Sequence, residues 1–141
     1  MVDIVFLTHF ICSIFMTGVI WVIQRVHYPS FKYIPKQDFV DYHNFHSFHV
    51  TWIVAPIMII ELFTAAFMVY ENYYSEFFTK FLIVLLMNII LWIATFFLSV
   101  PCHNDLSRDK SDQAIQKLVR TNWIRTIFWT VKSIFLIVLI V

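Results

Sequence analysis

The stretch Phe81–Val100, FLIVLLMNIILWIATFFLSV, decides the fold class because it contains 20 consecutive residues without a formal charge. A helix rises about 1.5 Å per residue, so about 20 apolar residues cross the hydrocarbon core of a bilayer. Lipid offers no partner to free backbone groups, and the stretch lacks the alternation of apolar and polar residues that is typical of a barrel strand. It is therefore predicted to be a membrane-spanning helix.

Three further stretches of the chain have the same character. Ile4–Ile23 contains no Asp, Glu, Lys or Arg, Val50–Tyr70 is apolar apart from Glu61, and Thr126–Val141 is apolar apart from Lys132. The 141 residues are 60% hydrophobic and 13% charged, which excludes a disordered chain and disfavours a soluble domain. We predict one domain, residues 1–141, that forms an all-α four-helix transmembrane bundle. Its spans cover about residues 4–26, 49–70, 79–100 and 122–141.

The Lys and Arg residues predict the orientation of the bundle. Only Lys80 lies between the second and third spans, whereas the two larger connections carry seven basic residues. These are Arg25, Lys32, Lys36, Arg108, Lys110, Lys117 and Arg120. The positive-inside rule places both larger loops in the cytoplasm and both termini on the non-cytoplasmic side. The net charge of +1 argues against a nucleic-acid partner.

Helix start and stop signals predict that two helices extend beyond the bilayer on the cytoplasmic side. Pro35 suits a helix start, so one helix is expected to run from about Lys36 into the second span. Ser111 is a predicted N-cap followed by Asp112 in the first turn, so the fourth helix begins well before its span. Pro101 is expected to end the third helix.

Polar residues within the spans predict a layer at one depth of the membrane. Glu61 and Lys132 each lie about 13 Å below the outer end of their helix, and Asn88 lies about 15 Å below its own. His9 is a few ångströms nearer the outside. We predict an ion pair between Glu61 and Lys132 whose hydrogen bonds are completed by Asn88 and His9. Such a layer serves either as a stability and register device or as a proton relay, ion relay or ligand site.

Five of the six histidines fall near the cytoplasmic end of the bundle: His27, His43, His46, His49 and His103. Three of them follow one another at i, i+3 and i+6 on one helix, and neighbours at this spacing can reach one metal ion. Neutral imidazoles ligate metals, and bundles build metal and haem sites from histidines on facing helices. A site for a metal ion or haem is therefore predicted at His43, His46, His49 and His103. The alternatives are hydrogen bonding or contact with a substrate, and a solvated interface.

The segment after the third span is rich in polar and aromatic residues. Asn122, Arg125 and Trp129 share one helix face at i, i+3 and i+7. Arg125 lies near the hydrocarbon boundary, where it can hold an anion or bind the turn carbonyls, or else bind lipid phosphate between two tryptophans. With His27 and Asn104, these residues form the predicted ligand-binding set.

Two motifs in this segment carry a family resemblance. VPCHNDL at Val100–Leu106 and TNWIRT at Thr121–Thr126, together with the four-span layout, resemble the small four-helix membrane proteins grouped with anthrone oxygenases. The resemblance implies a site near the mouth of the bundle that contains Asn104, Asn122 and Arg125.

Three functions follow as hypotheses. The first is a membrane-embedded oxidoreductase or oxygenase-like enzyme that acts on a hydrophobic small molecule, bound with a metal or haem at the histidine-rich end. The second is a small channel or transporter, formed by a homo-oligomer, that uses the layer of Glu61, Asn88 and Lys132. The third is a non-enzymatic subunit of a larger membrane complex. The enzyme hypothesis is preferred, and all three require the lipid bilayer as a partner.

Overall fold

A computed structural model describes residues 4–140, and in that range the chain forms helices and no strand. Four helices are long and apolar enough to cross a membrane. They are α1, Ile4–Tyr33; α2, Lys36–Glu71; α3, Phe78–Leu106; and α4, Asp112–Ile140. The prediction of an all-α four-helix bundle is thereby confirmed. The chain ends, residues 1–3 and 141, lie outside the described residues, and so do the predictions made for them.

The four helices pack in a ring. Each contacts its neighbours in sequence, and α1 also packs along α4. The connections are short, spanning residues 34–35, 72–77 and 107–111, so successive helices run in opposite directions. One end of the bundle therefore carries both the first and the third connection. We call it the histidine end, because His27, His43, His46, His49 and His103 all lie near it.

The predicted starts of α2 and α4 are confirmed. α2 begins at Lys36 directly after Pro35, and its 36 residues extend over about 54 Å, well beyond the 30 Å or so of a hydrocarbon core. α4 begins at Asp112, and the Ala114 amide donates a 3.3 Å hydrogen bond to Ser111 Oγ. Ser111 therefore caps α4 by supplying an acceptor to one of its free N–H groups.

The prediction that Pro101 ends the third helix is wrong. α3 continues through Pro101 to Leu106, and α1 likewise continues through Pro29 to Tyr33. In each helix a π-helical turn precedes the proline, at Ile23–His27 in α1 and at Thr95–Ser99 in α3. Proline has no N–H and clashes with the carbonyl four residues before it, and the wider π turn accommodates both effects. As a result α1 and α3 also extend into the histidine end.

The interior consists of two apolar clusters with a polar layer between them. On α2, Met58 belongs to the cluster nearer the histidine end and Ala65 to the other, with Glu61 between them. On α4, Trp129 and Leu136 flank Lys132 in the same way. One group of buried polar residues therefore lies at the level of Glu61 and Lys132, and a second group, which includes His43, Asn122 and Arg125, lies toward the histidine end.

Large apolar side chains cover the outside of the bundle. Phe63 is 70% exposed and Phe97 is 74% exposed, and many isoleucines are exposed as well, by 37% to 70%. Such an apolar exterior is unfavourable in water but suits contact with lipid chains. This surface agrees with integral membrane location, and it leaves the polar chemistry of the chain inside the bundle.

Candidate functional site

The structure brings together three of the four residues of the predicted polar layer. Lys132 Nζ donates to Glu61 Oε1 at 2.7 Å and to Asn88 Oδ1 at 2.8 Å. The two charged side chains are 0% and 1% exposed. His9 is buried on α1 but bonds Thr64 Oγ1 at 2.8 Å, so it lies beside the ion pair without joining it.

Ser13, which the sequence analysis did not select, and Trp129, which it placed in the ligand-binding set, complete the hydrogen bonds of Glu61. Ser13 Oγ donates to Oε1 at 2.7 Å, and Trp129 Nε1 donates to Oε2 at 3.1 Å. Ser13 is four residues after His9 on α1, and this spacing was the signal that could have selected it. Both carboxylate oxygens are thus bonded, and neither Glu61 nor Lys132 lines the pockets described below. The geometry is that of a closed structural contact among the four helices.

A pocket of about 380 Å³ opens between α2 and α3 at the level where the bundle meets the histidine end. Its inner part is apolar, with Val54, Met58 and Trp92 in the wall. Its other part is polar, and the polar side chains come from all four helices. They are Tyr28 on α1; His46, Ser47 and Thr51 on α2; Thr95, Ser99, His103, Asn104 and Ser107 on or just after α3; and Arg125 on α4.

Among the described residues that form the wall of this pocket, Arg125 alone is cationic, and it is 5% exposed. Its Nη1 donates to Ser99 Oγ at 3.3 Å and to Asn122 Oδ1 at 3.2 Å, while its Nε is buried without a hydrogen-bond partner. The guanidinium carbon lies 5.2 Å from the ring centroid of Trp129. Within residues 4–140, no carboxylate forms a salt bridge with Arg125. Arg125 is therefore a buried cation that has neutral neighbours and no counter-ion.

A chain of hydrogen bonds runs along the wall of the pocket. Tyr28 Oη lies 3.0 Å from His103 Nε2, and His103 Nδ1 lies 3.0 Å from His43 Nε2. The other ring nitrogen of His43, Nδ1, lies 3.3 Å from Ser107 Oγ. Tyr28 and His43 are buried, whereas Ser107 is half-buried where α3 passes into the connection to α4. Both nitrogens of both imidazoles are thus engaged in hydrogen bonds.

His46 and His27 form a second pair beside this chain. Their ring centroids are 4.0 Å apart, and His27 Nε2 is buried without a hydrogen-bond partner. His46 lines the pocket described above. Both also line a second, largely apolar pocket of about 600 Å³ between α1 and α2. His46 therefore separates the two pockets.

His49 does not join the other histidines. It is exposed, its Nδ1 lies 2.7 Å from the carbonyl oxygen of Phe45, and its ring packs against Phe45 and Phe48. In the described part of the chain, no group of three or more His, Cys, Asp or Glu residues is arranged to hold a metal ion. The ring nitrogens of His43 and His103 form a hydrogen bond with each other. In a metal site, both nitrogens would instead direct their lone pairs toward the same ion. This geometry gives no support to the predicted metal or haem site at His43, His46, His49 and His103.

The predicted ligand-binding residues take different places. Asn104 and Arg125 line the main pocket, and His27 lines the second one. Asn122 and Trp129 are fully buried and do not line the pocket, but both contact Arg125. Asn122 Oδ1 accepts a hydrogen bond from Nη1, and the Trp129 ring packs against the face of the guanidinium.

Gln24, Tyr28 and Ser99 belong to the site although the sequence analysis did not select them. Asn122 Nδ2 donates to Gln24 Oε1 at 2.9 Å, so Gln24 fixes the amide whose oxygen accepts from Arg125. Gln24 lies in the π-helical turn of α1, and Ser99 ends the π-helical turn of α3. Such turns often occur at functional sites, and a proline two residues after each turn was the available signal.

Comparisons with protein-family models, curated proteins and solved structures found no match to this chain.

Proposed function

We propose that the chain is a membrane-embedded enzyme of the oxidoreductase class that takes a hydrophobic small molecule with an acidic hydroxyl group from the bilayer. The observation that carries the proposal is Arg125, a buried cation without a counter-ion in the wall of a pocket that is otherwise neutral. The role of the pocket is to hold the oxygen-bearing end of this molecule against Arg125.

The cost of burying a charge supports this role for Arg125. Burying an ion without a partner of opposite charge costs about several kcal/mol in desolvation free energy, so proteins usually place a counter-ion beside it. Here the guanidinium donates to the neutral acceptors Ser99 and Asn122, faces the ring of Trp129 and interacts with the Tyr28 hydroxyl, and its Nε has no hydrogen-bond partner. A negatively charged oxygen in the pocket would supply the missing charge and accept a charge-assisted hydrogen bond.

The rest of the pocket supports an aromatic or otherwise apolar body for the ligand. Val54, Met58 and Trp92 form an apolar wall, and the exposed side chains of Phe96 and Val100 border the opening toward the lipid-facing surface. A hydrophobic molecule dissolved in the bilayer would enter sideways between α2 and α3. Phenols and the enols of aromatic ketones combine such a body with a hydroxyl that ionises to an oxyanion.

The resemblance to the anthrone oxygenase group favours the same class of ligand. Anthrone is a fused-ring aromatic ketone, and its enol carries one hydroxyl on an otherwise apolar frame. Asn104 and Arg125, two of the residues implied by the resemblance, line the pocket, and Asn122 holds Arg125. We further propose that the histidine end faces the cytoplasm, because the two connections and helix ends there carry seven of the ten Lys and Arg residues, whereas only Lys80 lies at the opposite end.

Ligand binding can be tested with 2-naphthol and with naphthalene, which lacks the hydroxyl. The protein is placed in lipid nanodiscs, and the affinity of each compound is measured by fluorescence against empty nanodiscs. Wild type should prefer 2-naphthol, and Arg125→Met should lose about tenfold or more of that affinity, as expected for a hydrogen bond to a charged group. Arg120→Met is the matched control because Arg120 is exposed on the same helix. Equal binding of the two compounds, or an unchanged affinity in Arg125→Met, would contradict the proposal.

The oxidoreductase activity needs a separate measurement. Wild-type nanodiscs should consume O₂ in the presence of anthrone faster than empty nanodiscs do, and Arg125→Met should abolish the difference. Equal rates with wild-type and empty nanodiscs would reject this activity on anthrone, and would leave the binding result as an independent finding.

A further inference from the structure

We infer that Tyr28, His103, His43 and Ser107 form a proton relay that carries the hydroxyl proton of the bound molecule from the polar part of the pocket beside Arg125 to water at the histidine end. The inference rests on the proposed function, because it concerns the proton that a hydroxyl group loses when its oxygen binds Arg125 as an anion. It assigns a role to Tyr28, His43 and Ser107, which lie outside the predicted ligand-binding set.

Donors and acceptors pair completely along the four residues of the relay. A neutral imidazole has one N–H donor and one nitrogen acceptor. Tyr28 can donate to His103 Nε2, His103 Nδ1–H can donate to His43 Nε2, and His43 Nδ1–H can donate to Ser107 Oγ. Every hydrogen bond among these four residues is then formed, and all four side chains are neutral.

The reverse pattern of hydrogen bonds is equally complete. Ser107 can donate to His43 Nδ1, His43 Nε2–H to His103 Nδ1, and His103 Nε2–H to Tyr28 Oη. Each imidazole simply exchanges one neutral tautomer for the other. The two patterns differ by one proton shift across each of the three hydrogen bonds. A chain with this property can accept a proton at one end and release one at the other.

The transfer can be written with every proton placed. The O–H bond of the ligand breaks, its electron pair stays on the oxygen beside Arg125, and the proton binds Tyr28 Oη. The earlier Tyr28 proton moves to His103 Nε2, the His103 Nδ1 proton moves to His43 Nε2, and the His43 Nδ1 proton moves to Ser107 Oγ. Ser107 gives its own hydroxyl proton to water. One proton enters, one leaves, and the protein keeps its charge.

The positions of the two ends fit this direction. Tyr28 is 2% exposed, lines the pocket and lies within electrostatic reach of the Arg125 guanidinium. Ser107 is half-buried and is followed by the exposed residues Arg108 and Asp109. His43 is completely buried between the two ends and does not line the pocket, so it has no direct contact with a ligand there. The relay thus links the part of the pocket beside Arg125 with Ser107, which lines the same pocket at the edge of the exposed connection between α3 and α4.

The test separates the rate of proton loss from its equilibrium. Wild type and variants in nanodiscs are mixed rapidly with 2-naphthol, and the absorbance of the naphtholate anion is followed together with a pH indicator dye. Arg125 sets how much anion is present at equilibrium, whereas the relay sets how fast it forms. His43→Gln is the decisive variant, because its amide keeps a donor and an acceptor but does not exchange them as imidazole does.

In His43→Gln the final amount of anion should stay within about twofold of wild type, while its rate of formation should fall by about tenfold or more, as for loss of a general acid–base group. Ser107→Ala, at the outer end of the chain, should also slow the rate. His49→Gln is the control, because His49 is exposed and lies outside the chain.

Wild-type rates in both His43→Gln and Ser107→Ala would overturn the relay and leave the proposed function intact. If wild type forms no anion at all, the proposed function and the relay both fail. Circular dichroism of each variant in the same nanodiscs verifies that the helices are retained.

Discussion

The indole N–H of Trp129 donates a hydrogen bond of 3.1 Å to Glu61 Oε2, while the ring of the same residue lies 5.2 Å below the guanidinium carbon of Arg125. Trp129 thus connects the polar layer at mid-bundle with the pocket at the histidine end. The layer anchors one side of the indole, and the indole in turn supports Arg125. The stability of the bundle and the placement of the pocket cation are therefore linked through one side chain.

Replacing Trp129 by phenylalanine should weaken both features. The substitution leaves Glu61 Oε2 buried without this donor, so we expect a loss of about 1–3 kcal/mol in unfolding free energy. The smaller phenylalanine ring also leaves less aromatic surface in contact with the Arg125 guanidinium. The affinity for 2-naphthol should fall as well. Trp123→Phe is the control, because Trp123 is only half-buried and packs edge-on against Trp21. Thermal unfolding in detergent and naphthol titration measure the two effects, and an unchanged affinity would show that Arg125 does not need the indole.

Removing one partner of the ion pair between Lys132 and Glu61 should lower the stability more than removing both partners. Lys132→Met leaves a buried carboxylate without its cation and should lower the unfolding free energy by about 3–5 kcal/mol. The double variant Lys132→Met/Glu61→Leu removes both charges and should recover much of that loss. Thermal unfolding of the three proteins gives the comparison.

A second lysine offers a matched control for this experiment. Lys36 bonds Asp109 at 3.2 Å, but the two side chains are 71% and 64% exposed. Water screens such a pair, so Lys36→Met should cost about 1 kcal/mol or less. Similar losses for Lys36→Met and Lys132→Met would contradict the assignment of Lys132 as the buried partner.

The cap of α4 should contribute a measurable part of the stability. Ser111→Ala removes the acceptor for the Ala114 amide and should cost about 1 kcal/mol. Ser111→Asp keeps an oxygen at this position and adds a negative charge at the helix N-terminus, so it should match or exceed wild type. The unfolding midpoints of the two variants are compared with that of wild type. Equal losses of stability in both variants would mean that the hydrogen bond from Ala114 to Ser111 does not stabilise α4.

His49 should have no part in ligand binding. Its ring lies outside both histidine-lined pockets and packs on Phe45, so His49→Ala should leave the 2-naphthol affinity within about twofold of wild type. His46→Ala removes part of the wall between the two pockets and should change that affinity. The same titration serves both variants. A larger effect at His49 than at His46 would place the binding site elsewhere on α2.

Sequence patterns alone were enough to predict the fold class and the common depth of the polar layer. Long uncharged runs such as Phe81–Val100 require helices in a bilayer, and the cap at Ser111 is a local hydrogen bond between near neighbours in the chain. The common depth of Glu61, Asn88 and Lys132 followed from the rise per residue of a helix. These features depend on spacing along one chain segment, which is why they can be inferred without coordinates.

Only the tertiary structure decided which polar groups meet. Helical spacing placed His49 next to His46, but rotation of α2 turns His49 outward and buries His46. The partners of Glu61 on α1 and α4, and the chain from Tyr28 through His103 and His43, join residues far apart in sequence. Such contacts depend on the rotation of each helix about its axis and on the π-helical turns before Pro29 and Pro101, which shift the faces of α1 and α3. Those rotations result from packing of all four helices at once, and no single segment specifies them.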